Sequence, residues 1–511
     1  MLESDDRSSR IVLFARRDMQ SKRSNLSLLS VQNVHVFSER MLCKLICCLI
    51  FVTFSSVAGN CTTLKPIIKI SIEKPSDLTI EAEMPQPVRE WSFRNAYAGA
   101  LNLGERIDNF EVLNTAQEVL PVRKITAGEY RTDQPAQLIR YTINASSRAA
   151  SEVAHVTWLS EDYGCLMLAD LLPIVFDGLE LRIELKLPPK WSAQFSGNTD
   201  DNGRVIVRKP EETVFVVGPT LKKLSQSING QTLNLALIGK WKLSDETIMG
   251  SAQRVFAHYL KLTEHKLSEE PLLIIMPYRF SGGNSWRAQT RGANVVLAID
   301  PSASFRNWKG QLSVIFTHEF LHLWVPNSLG LKGDYDWFFE GFTLYEALIT
   351  ALQLKLINFQ EYLDTLARVY DSYLSYPNDL SLIEASERRW TSSFPLVYDK
   401  GMLVALQYDL MVRTESEGKS SLSDLYPRLL NLAQTQANDA NTAIIGLLDS
   451  SVSGSEFSSR CVEKKGSLDL TSSLKQYGII VDSSGQRTMV KIDRNLDKKQ
   501  KTVLRTLGYT Q

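Results

Sequence analysis

The feature that most constrains this chain is a pair of histidines, His318 and His322, spaced four residues apart in a largely apolar segment. On an α-helix, side chains four apart leave the same face about one turn apart, so both imidazoles can reach one point. Two neutral imidazoles at that separation suit a tetrahedral Zn²⁺. Glu319 would flank such an ion without binding it, where a general base is needed. The pattern therefore predicts a helix over about 308–325 that carries a metal site.

A third candidate ligand, Glu340, lies eighteen positions after His322 in a second helical pattern over about 338–357. An antiparallel return through the loop Pro326–Asp336 would bring its carboxylate back to both imidazoles. Three protein ligands leave the fourth position open, which is typical of a catalytic zinc site. We therefore expect one Zn²⁺ per chain; the alternative is two surface histidines and an ordinary helix acid.

Composition and charge set the class of protein. The chain has 511 residues, 44% of them hydrophobic and 22% charged, and a formal net charge of zero. These values are typical of a large globular protein with roughly two to four domains. Because there is no basic stripe and no long acidic block, we expect no nucleic-acid partner.

The segment 62–225 has a strand-like pattern. Residues 78–84 and 181–187 alternate apolar and polar side chains, and clusters of Gly, Pro, Asp and Asn separate such runs. A period of two places one strand face on a core and the other toward water. The pattern predicts an N-terminal antiparallel β-domain over 62–225.

The pattern changes to mixed strands and helices over 230–415. Leu233–Ile238, Leu272–Met276 and Asn294–Ile299 are predicted strands, and 281–293 is a glycine-containing loop. A helix should open at Ser244, because acidic residues follow it in the first turn. Further helices are predicted over about 359–376 and 398–415, and 416–511 forms a C-terminal helical region. The fold class is therefore multidomain α+β.

The N-terminal segment 1–58 has the layout of a presequence. Lys44 precedes an apolar stretch from Leu45 to Phe54, and Ser56-Val57-Ala58 forms a cleavage site of small residues. The stretch is too short to span a membrane, which takes about 20 residues. We expect an exported protein, periplasmic or secreted, whose mature chain begins near Gly59. A buried core helix is the alternative.

Two further features of this region stay open. Translation could begin at Met41, because forty residues precede it ahead of the signal. Cys61 could carry a lipid anchor, although Asn60 is a poor neighbour for that processing. Cys61, Cys165 and Cys461 remain after cleavage and allow at most one disulfide.

Three motifs together resemble a known family. His-Glu-Phe-x-His-x-Trp at 318–324, Trp-Phe-x-Glu-Gly-Phe-Thr at 337–343 and Tyr-x-Lys-Gly at 398–401 are similar to the glycyl aminopeptidase-like metallopeptidases. That family belongs to the Glu-zincin group, with thermolysin and the large zinc aminopeptidases. The resemblance is sharp over about 300–415. It implies a thermolysin-like catalytic domain that hydrolyses peptide bonds.

The resemblance and the chemistry together suggest roles. Glu319 would deprotonate a zinc-bound water as it attacks a peptide carbonyl, then protonate the leaving amine. The Tyr398 hydroxyl would be a second donor to the carbonyl oxygen, unless it is simply a buried core tyrosine. Thr343 or Glu346 could orient a ligand, although an ordinary helix role fits each of them.

The chain departs from the family in two places. Val325 follows the motif tryptophan, where relatives have Asn. Relatives also carry a glutamate after a Gly-Gly pair to hold the substrate's free ammonium group, but here Gly282-Gly283 is followed by Asn284. The glycine backbone could still pair with an extended peptide. Arg287 and Arg291 would repel an ammonium group if they point inward.

We therefore expect cleavage that does not depend on a free N-terminus. The alternatives are a strict aminopeptidase in which another acid replaces the missing one, a zinc hydrolase with non-peptide substrates, and an inactive relative that only binds peptides.

Overall fold

The N-terminal part of the chain is built from β-strands. The computed structural model describes residues 65–74, 76–146, 152–278, 286–301, 313–377, 379–435, 439–451 and 456–510. An eight-stranded sheet has the order Val205–Val207, Leu181–Lys186, Ile67–Lys74, Asp77–Ser92, Glu129–Asn144, Ile107–Leu113, Val119–Leu120, with Val122–Thr126 also paired to Glu129–Asn144. The pairs are antiparallel except Ile67–Lys74 with Leu181–Lys186. The prediction of a purely antiparallel domain is wrong at that pair, where the chain crosses over.

A four-stranded antiparallel sheet accompanies the first one. Its order is Ser192–Phe195, Val214–Gly218, Gly164–Met167, Trp158–Leu159. The shorter elements here are the hairpin Ala96–Tyr97 and Ala100–Leu101, the helix Leu168–Leu171, and 3₁₀ turns at Leu103–Arg106, Ile174–Phe176 and Pro210–Glu212. The predicted alternation is confirmed at 78–84, where Leu78, Ile80 and Ala82 are buried between more exposed neighbours.

A five-stranded sheet follows, in the order Lys222–Ile228, Gln231–Leu237, Leu272–Pro277, Asn294–Ile299, Trp286–Arg291. The three inner strands run parallel, and two of them, Leu272–Pro277 and Asn294–Ile299, are almost fully buried. The two outer strands are antiparallel to their neighbours. The last strand, Trp286–Arg291, is called the edge strand below. It replaces part of the loop predicted over 281–293.

One apolar core connects the four-stranded sheet with the five-stranded sheet. Trp158, Cys165 and Val216 of the former belong to the same buried cluster as Ile274 and Val296 of the latter. Burying apolar area contributes about 25 cal/mol per Å², so this contact stabilises the packing of the two sheets against each other.

Helices form most of the remaining chain. The first, Asp245–Thr263, begins as predicted at Ser244, whose hydroxyl accepts from the Thr247 amide and satisfies an otherwise free donor. The others are Ser313–Leu321, Thr343–Gln353, Phe359–Leu374, Leu382–Glu387, Gly401–Glu415, Leu425–Thr435, Ala440–Ser450, Leu470–Lys475 and Lys498–Thr506. Leu422–Asp424 is a 3₁₀ turn, and π-helical turns occur at Trp337–Phe342, Arg389–Ser393, Leu396–Lys400 and Ser459–Glu463.

The C-terminal part is not only helical. Ile479–Asp482 and Met489–Ile492 form an antiparallel two-stranded sheet between its last two helices. Asp371 of the helix Phe359–Leu374 accepts from the Thr488 amide, so this hairpin is joined to the helices of the middle region. From Lys65 onward the described residues form one compact unit, and the predicted domain boundaries stay predictions.

The predicted presequence and the cysteines are described only in part. The presequence 1–58 and Cys61 lie outside the described residues. Cys165, which is buried, and Cys461, which is half-buried, are free thiols. Among the helices that the structure describes, none is long and apolar enough to cross a membrane.

Candidate metal centre

Two helices carry the predicted ligands. The histidine helix, Ser313–Leu321, continues into a turn that includes His322, whose amide donates to the His318 carbonyl at 3.3 Å. The glutamate helix consists of the π-helical turn Trp337–Phe342 and the α-helix Thr343–Gln353. The Thr317 hydroxyl lies 3.0 Å from the Ala347 carbonyl oxygen and links the two helices. The antiparallel return predicted from the spacing therefore occurs.

The three candidate ligand atoms meet closely. His318 Nε2 and His322 Nε2 are 3.0 Å apart, and they lie 3.3 and 3.4 Å from Glu340 Oε2. All three side chains are buried. Tetrahedral ligand atoms at the usual Zn–N and Zn–O distances of about 2.0–2.2 Å lie roughly 3.3–3.6 Å apart. Both distances to Glu340 lie in this range and the distance between the imidazole nitrogens lies just below it, so a slight separation of the two rings would let the three residues hold a zinc ion.

The outer nitrogens of both imidazoles have partners that suit metal binding. His322 Nδ1 lies 2.8 Å from the Val325 carbonyl oxygen, so it donates there and leaves the Nε2 lone pair for a metal. His318 Nδ1 lies 3.4 Å from the Thr343 hydroxyl. Val325 thus contributes its backbone, which explains why the departure from Asn at this position does not disturb the site.

The charged groups around the metal trio of His318, His322 and Glu340 are paired with groups of opposite charge. Burial alone would raise the pKa of Glu340, but Arg389 and the two histidines hold that pKa well below its usual value. Burial alone would lower the pKa of His322, but Glu340 and then Glu319 raise it. The carboxylate therefore stays ionised and available to a cation.

Glu319 is held by the edge strand. The Thr290 hydroxyl lies 2.8 Å from its carboxylate Oε2 and 2.7 Å from its carbonyl oxygen. The carboxylate raises the pKa of both His322 and Tyr398, so it lies near both. This places Glu319 beside the metal trio and on the side of the edge strand.

The glutamate helix crosses a third helical element at two glycines. This element, the tyrosine helix, consists of the π-helical turn Leu396–Lys400 and the α-helix Gly401–Glu415. A Cβ on Gly341 would lie 2.5 Å from the Gly401 Cα, and a Cβ on Gly401 would lie 2.8 Å from the Trp337 carbonyl oxygen. Only glycine permits such an approach. The Glu-Gly and Lys-Gly pairs of the motifs therefore bring Tyr398 to Glu340.

The other motif residues here have distinct surroundings. Tyr398 is buried, and burial, followed by the charge of Glu340, raises the pKa of its phenol well above the usual value. Lys400 donates to the carbonyl oxygens of Leu380 and Gly466 at 2.9 and 3.0 Å, which is a structural role. Glu346 lies elsewhere, with both carboxylate oxygens 3.0 Å from the Ser423 hydroxyl.

The alternation of side chains along the edge strand determines the direction of Arg291. Alternate side chains of a strand face opposite sides, so Arg291 faces away from the side on which Thr290 meets Glu319. Arg291 donates to the His155 carbonyl oxygen at 2.9 Å, and its guanidinium lies 4.2 Å from the Tyr97 ring centroid. Arg291 therefore does not point toward the metal trio. The repulsion of an ammonium group, which was expected only if Arg291 pointed inward, does not arise from it. Gly282 and Gly283 lie outside the described residues.

Three residues at the centre are not predicted by the sequence motifs. They are Thr290 beside Glu319, and Asp336 and Arg389, which form an ion pair next to Glu340. Arg389 is 49 positions from Glu340, and no motif spacing links them. Asp336 could have been suspected, because an acid directly before the buried ligand-bearing turn needs a cationic partner.

Comparison with solved structures shows which fold this is. An aminopeptidase N family protein from Idiomarina loihiensis superimposes with a TM-score of 0.70 at 18% identity, covering 82% of this chain and 79% of that one. An M1 zinc metallopeptidase from Deinococcus radiodurans gives a TM-score of 0.50 at 14% identity, over 80% of this chain and 95% of that one. A mutant of that enzyme bound to a Tyr-Ser-Ala substrate gives 0.50 at 13% identity, with the same coverage.

The chain therefore has the mixed α+β fold of the M1 zinc metallopeptidases, and the expected relation to the aminopeptidase-like Glu-zincins is confirmed at the level of the fold. No protein-family model and no curated protein matches the sequence.

Proposed function

We propose that this protein is a zinc-dependent peptidase. The observation that carries the proposal is the closed triangle of ligand atoms from His318, His322 and Glu340, with sides of 3.0, 3.3 and 3.4 Å. The fold shared with M1 zinc metallopeptidases supports it. A bound Zn²⁺ would supply Lewis acidity that polarises a peptide carbonyl and acidifies water.

The chain's own residues have separate tasks in this proposal. The Glu319 carboxylate accepts a proton from the attacking water and delivers it to the leaving amine nitrogen. Thr290 holds that carboxylate at 2.8 Å and so fixes its direction. The Tyr398 hydroxyl donates to the carbonyl oxygen as negative charge develops there. An inactive peptide-binding relative is disfavoured, because binding alone needs no general base.

A direct test of the metal comes first. The purified protein should contain about one zinc per chain, and the double variant His318→Ala/His322→Ala should contain almost none. Elemental analysis measures both. Stoichiometric zinc in the double variant would rule out this site.

The kind of peptidase is the finer part of the proposal. We propose cleavage that does not depend on a free N-terminus, because the residues after Gly282-Gly283 are not acidic. The acids at the described part of the centre are already engaged: Glu319 by Thr290, and Glu340 by the imidazoles and Arg389. An ammonium group buried without a partner would be costly.

A strict aminopeptidase is the second candidate, since a solved structure of the same fold is an aminopeptidase N family protein. Matched peptides with free and acetylated N-termini decide between the two. Digestion of a peptide library, read by mass spectrometry, should show cleavage of both forms. Stepwise removal of single residues from the free form alone would favour the aminopeptidase.

We also propose that the protein is exported and cut near Gly59. The charged, apolar and small-residue order of 42–58 supports this. N-terminal sequencing of the native protein, together with cell fractionation, tests it. A native chain that retains 42–58 inside the cytoplasm would refute the proposal.

A further inference from the structure

Arg389 bridges three groups that matter to the metal centre. Its Nη2 lies 2.6 Å from Glu340 Oε1 and 2.8 Å from the Tyr398 hydroxyl oxygen, and its Nη1 bonds Asp336. One guanidinium therefore contacts a metal ligand, the candidate carbonyl-oxygen donor and a counter-ion. Neither the motifs nor the proposed chemistry accounts for it.

Aromatic rings surround this guanidinium. Its central carbon lies 4.8 to 5.9 Å from the ring centroids of Phe339, Trp390, Phe394 and Tyr398. The side chain of Arg389 is 12% exposed, and that of Glu340 is 8% exposed. Charge-assisted hydrogen bonds are stronger where rings exclude water. The Arg389 bonds are therefore rigid restraints, unlike surface ion pairs.

The two oxygens of Glu340 are divided between two tasks. Oε1 accepts from Arg389, while Oε2 faces the two imidazole nitrogens at 3.3 and 3.4 Å. A carboxylate whose one oxygen is fixed cannot rotate the other away. Arg389 thereby holds Oε2 in the position from which it would bind the metal.

The bond to Tyr398 has a directional consequence. A guanidinium has only donors, so the phenol oxygen must accept from Arg389. The phenol proton must then go to a different acceptor, which is the Glu340 carboxylate in this structure and a developing oxyanion once a substrate is bound. Without Arg389 the phenol could turn and lose this direction.

We infer that Arg389 is a positioning residue, which orients the Glu340 carboxylate toward the metal and directs the Tyr398 proton toward the substrate. The second half of this inference rests on the proposed peptidase function, whereas the first half concerns metal binding alone. Lysine cannot substitute, because a single ammonium group lacks the planar fork that reaches Asp336, Glu340 and Tyr398 together.

The first test measures zinc rather than activity. Competition with a chromophoric chelator gives the zinc dissociation constants of the purified full-length wild type, Arg389→Met and Arg389→Lys. Loss of an outer partner typically weakens metal binding by about 10–100-fold. We expect that loss for Met and a smaller one for Lys. Arg388→Met, at the exposed neighbouring position, is the matched control and should bind zinc as the wild type does.

The second test is a double-mutant cycle on turnover at saturating zinc. Arg389→Lys should lower kcat about 10-fold or more with little change in KM, and Arg389→Lys/Tyr398→Phe should be no slower than Tyr398→Phe alone. If the losses in kcat caused by the two substitutions multiply in the double variant, Arg389 does not act through Tyr398.

The outcomes separate the inference from the proposed function. Zinc affinities within threefold of the wild type in both Arg389 variants, with normal turnover, would overturn the inference while leaving the peptidase proposal intact. Weakened zinc binding in a protein that cleaves no peptide would support the role toward Glu340 and reject the peptidase. If Arg389→Met does not fold, Arg389→Lys decides alone, because it keeps the charge next to Asp336.

Discussion

Two buried polar clusters lie along the glutamate helix, each shared with a different neighbouring helix. The metal trio of His318, His322 and Glu340 lies where the glutamate helix approaches the histidine helix. The second group, called the acid cluster, lies further along the glutamate and tyrosine helices and consists of Tyr345, Glu346, Asp409, Arg413 and Ser423. Both groups are buried and charged, so burial and charge alone do not distinguish them.

Their hydrogen bonds do distinguish them. Asp409 Oδ2 accepts from Tyr345 and from Arg413, each at 2.8 Å, and Oδ1 accepts from the Leu422 amide at 2.8 Å. Each Asp409 oxygen therefore has a donor of its own, whereas the two Glu346 oxygens share the single proton of the Ser423 hydroxyl. In the trio, two imidazole nitrogens and one carboxylate oxygen converge within 3.4 Å. Converging lone pairs need a cation or a proton between them. Unmatched acceptors, rather than buried charge, therefore mark the site.

The sharpest test applies one change to a glutamate of each region. Glu319→Gln should retain zinc and fold but lose turnover by about 10²–10⁴-fold, because an amide cannot accept the proton from water. Glu346→Gln, the matched control, should keep nearly full turnover. Kinetics with elemental analysis measures both. Normal activity in Glu319→Gln would assign the base to another residue.

A substitution in the acid cluster should lower the free energy of unfolding. Asp409→Ala leaves Arg413 buried without its counter-ion, which typically costs about 3–5 kcal/mol of unfolding free energy. Denaturant unfolding of both proteins measures the loss. The folded fraction should still bind one zinc per chain, because Asp409 contacts none of the ligands. Zinc lost from that folded fraction would mean that the two clusters are not separate.

The next largest effect is expected at Tyr398. Tyr398→Phe removes only the hydroxyl, and loss of one oxyanion donor lowers kcat by about 10²–10³-fold. Zinc content should stay near that of the wild type. Tyr345→Phe is the matched change in the acid cluster and should leave turnover nearly unaltered. If kcat falls by less than about threefold in Tyr398→Phe, Tyr398 is a core tyrosine with no part in turnover.

The sequence predicts the parts of this centre that local periodicity encodes. Spacings of four and eighteen place His318, His322 and Glu340 on two helices, and the Ser244 cap follows from hydrogen-bonding chemistry. Contacts between distant segments have no such period. Thr290 and Arg389 reach the centre only because an edge strand and a π-helical turn pass beside it.

The pattern also explains the wrong or incomplete strand predictions. The edge strand Trp286–Arg291 has Trp286, Ala288 and Thr290 on one face and Arg287, Gln289 and Arg291 on the other, but its burial does not alternate. The parallel pair of Ile67–Lys74 with Leu181–Lys186 depends on a long crossover that alternation cannot reveal. Pairing partners are tertiary information, whereas the strands themselves are local.

The smallest expected effect, taken per pH unit, concerns the pH dependence of stability. Burial, followed by the charge of Asp409, raises the pKa of Glu346 to about 8 from an ordinary value of 4.5. Between these two values the unfolded chain has released the proton and the folded chain still holds it. Stability should therefore fall as pH rises through this window, by about 1.4 kcal/mol per pH unit from this group.

Glu346→Gln stays neutral at every pH and should remove that part of the decline. Unfolding midpoints of the wild type and the variant at pH 5, 6, 7 and 8 should diverge, with the variant more stable at the higher values. Asp399 needs its own control, because burial raises its pKa to about 7 and it contributes a similar decline at lower pH. Asp399→Asn should flatten that lower part only. If the wild type and Glu346→Gln give parallel curves, the Glu346 carboxylate is ionised and paired in the folded protein. The acid cluster would then hold its charge as the metal trio does, and the donors that saturate both Asp409 oxygens would be the remaining difference between the two clusters.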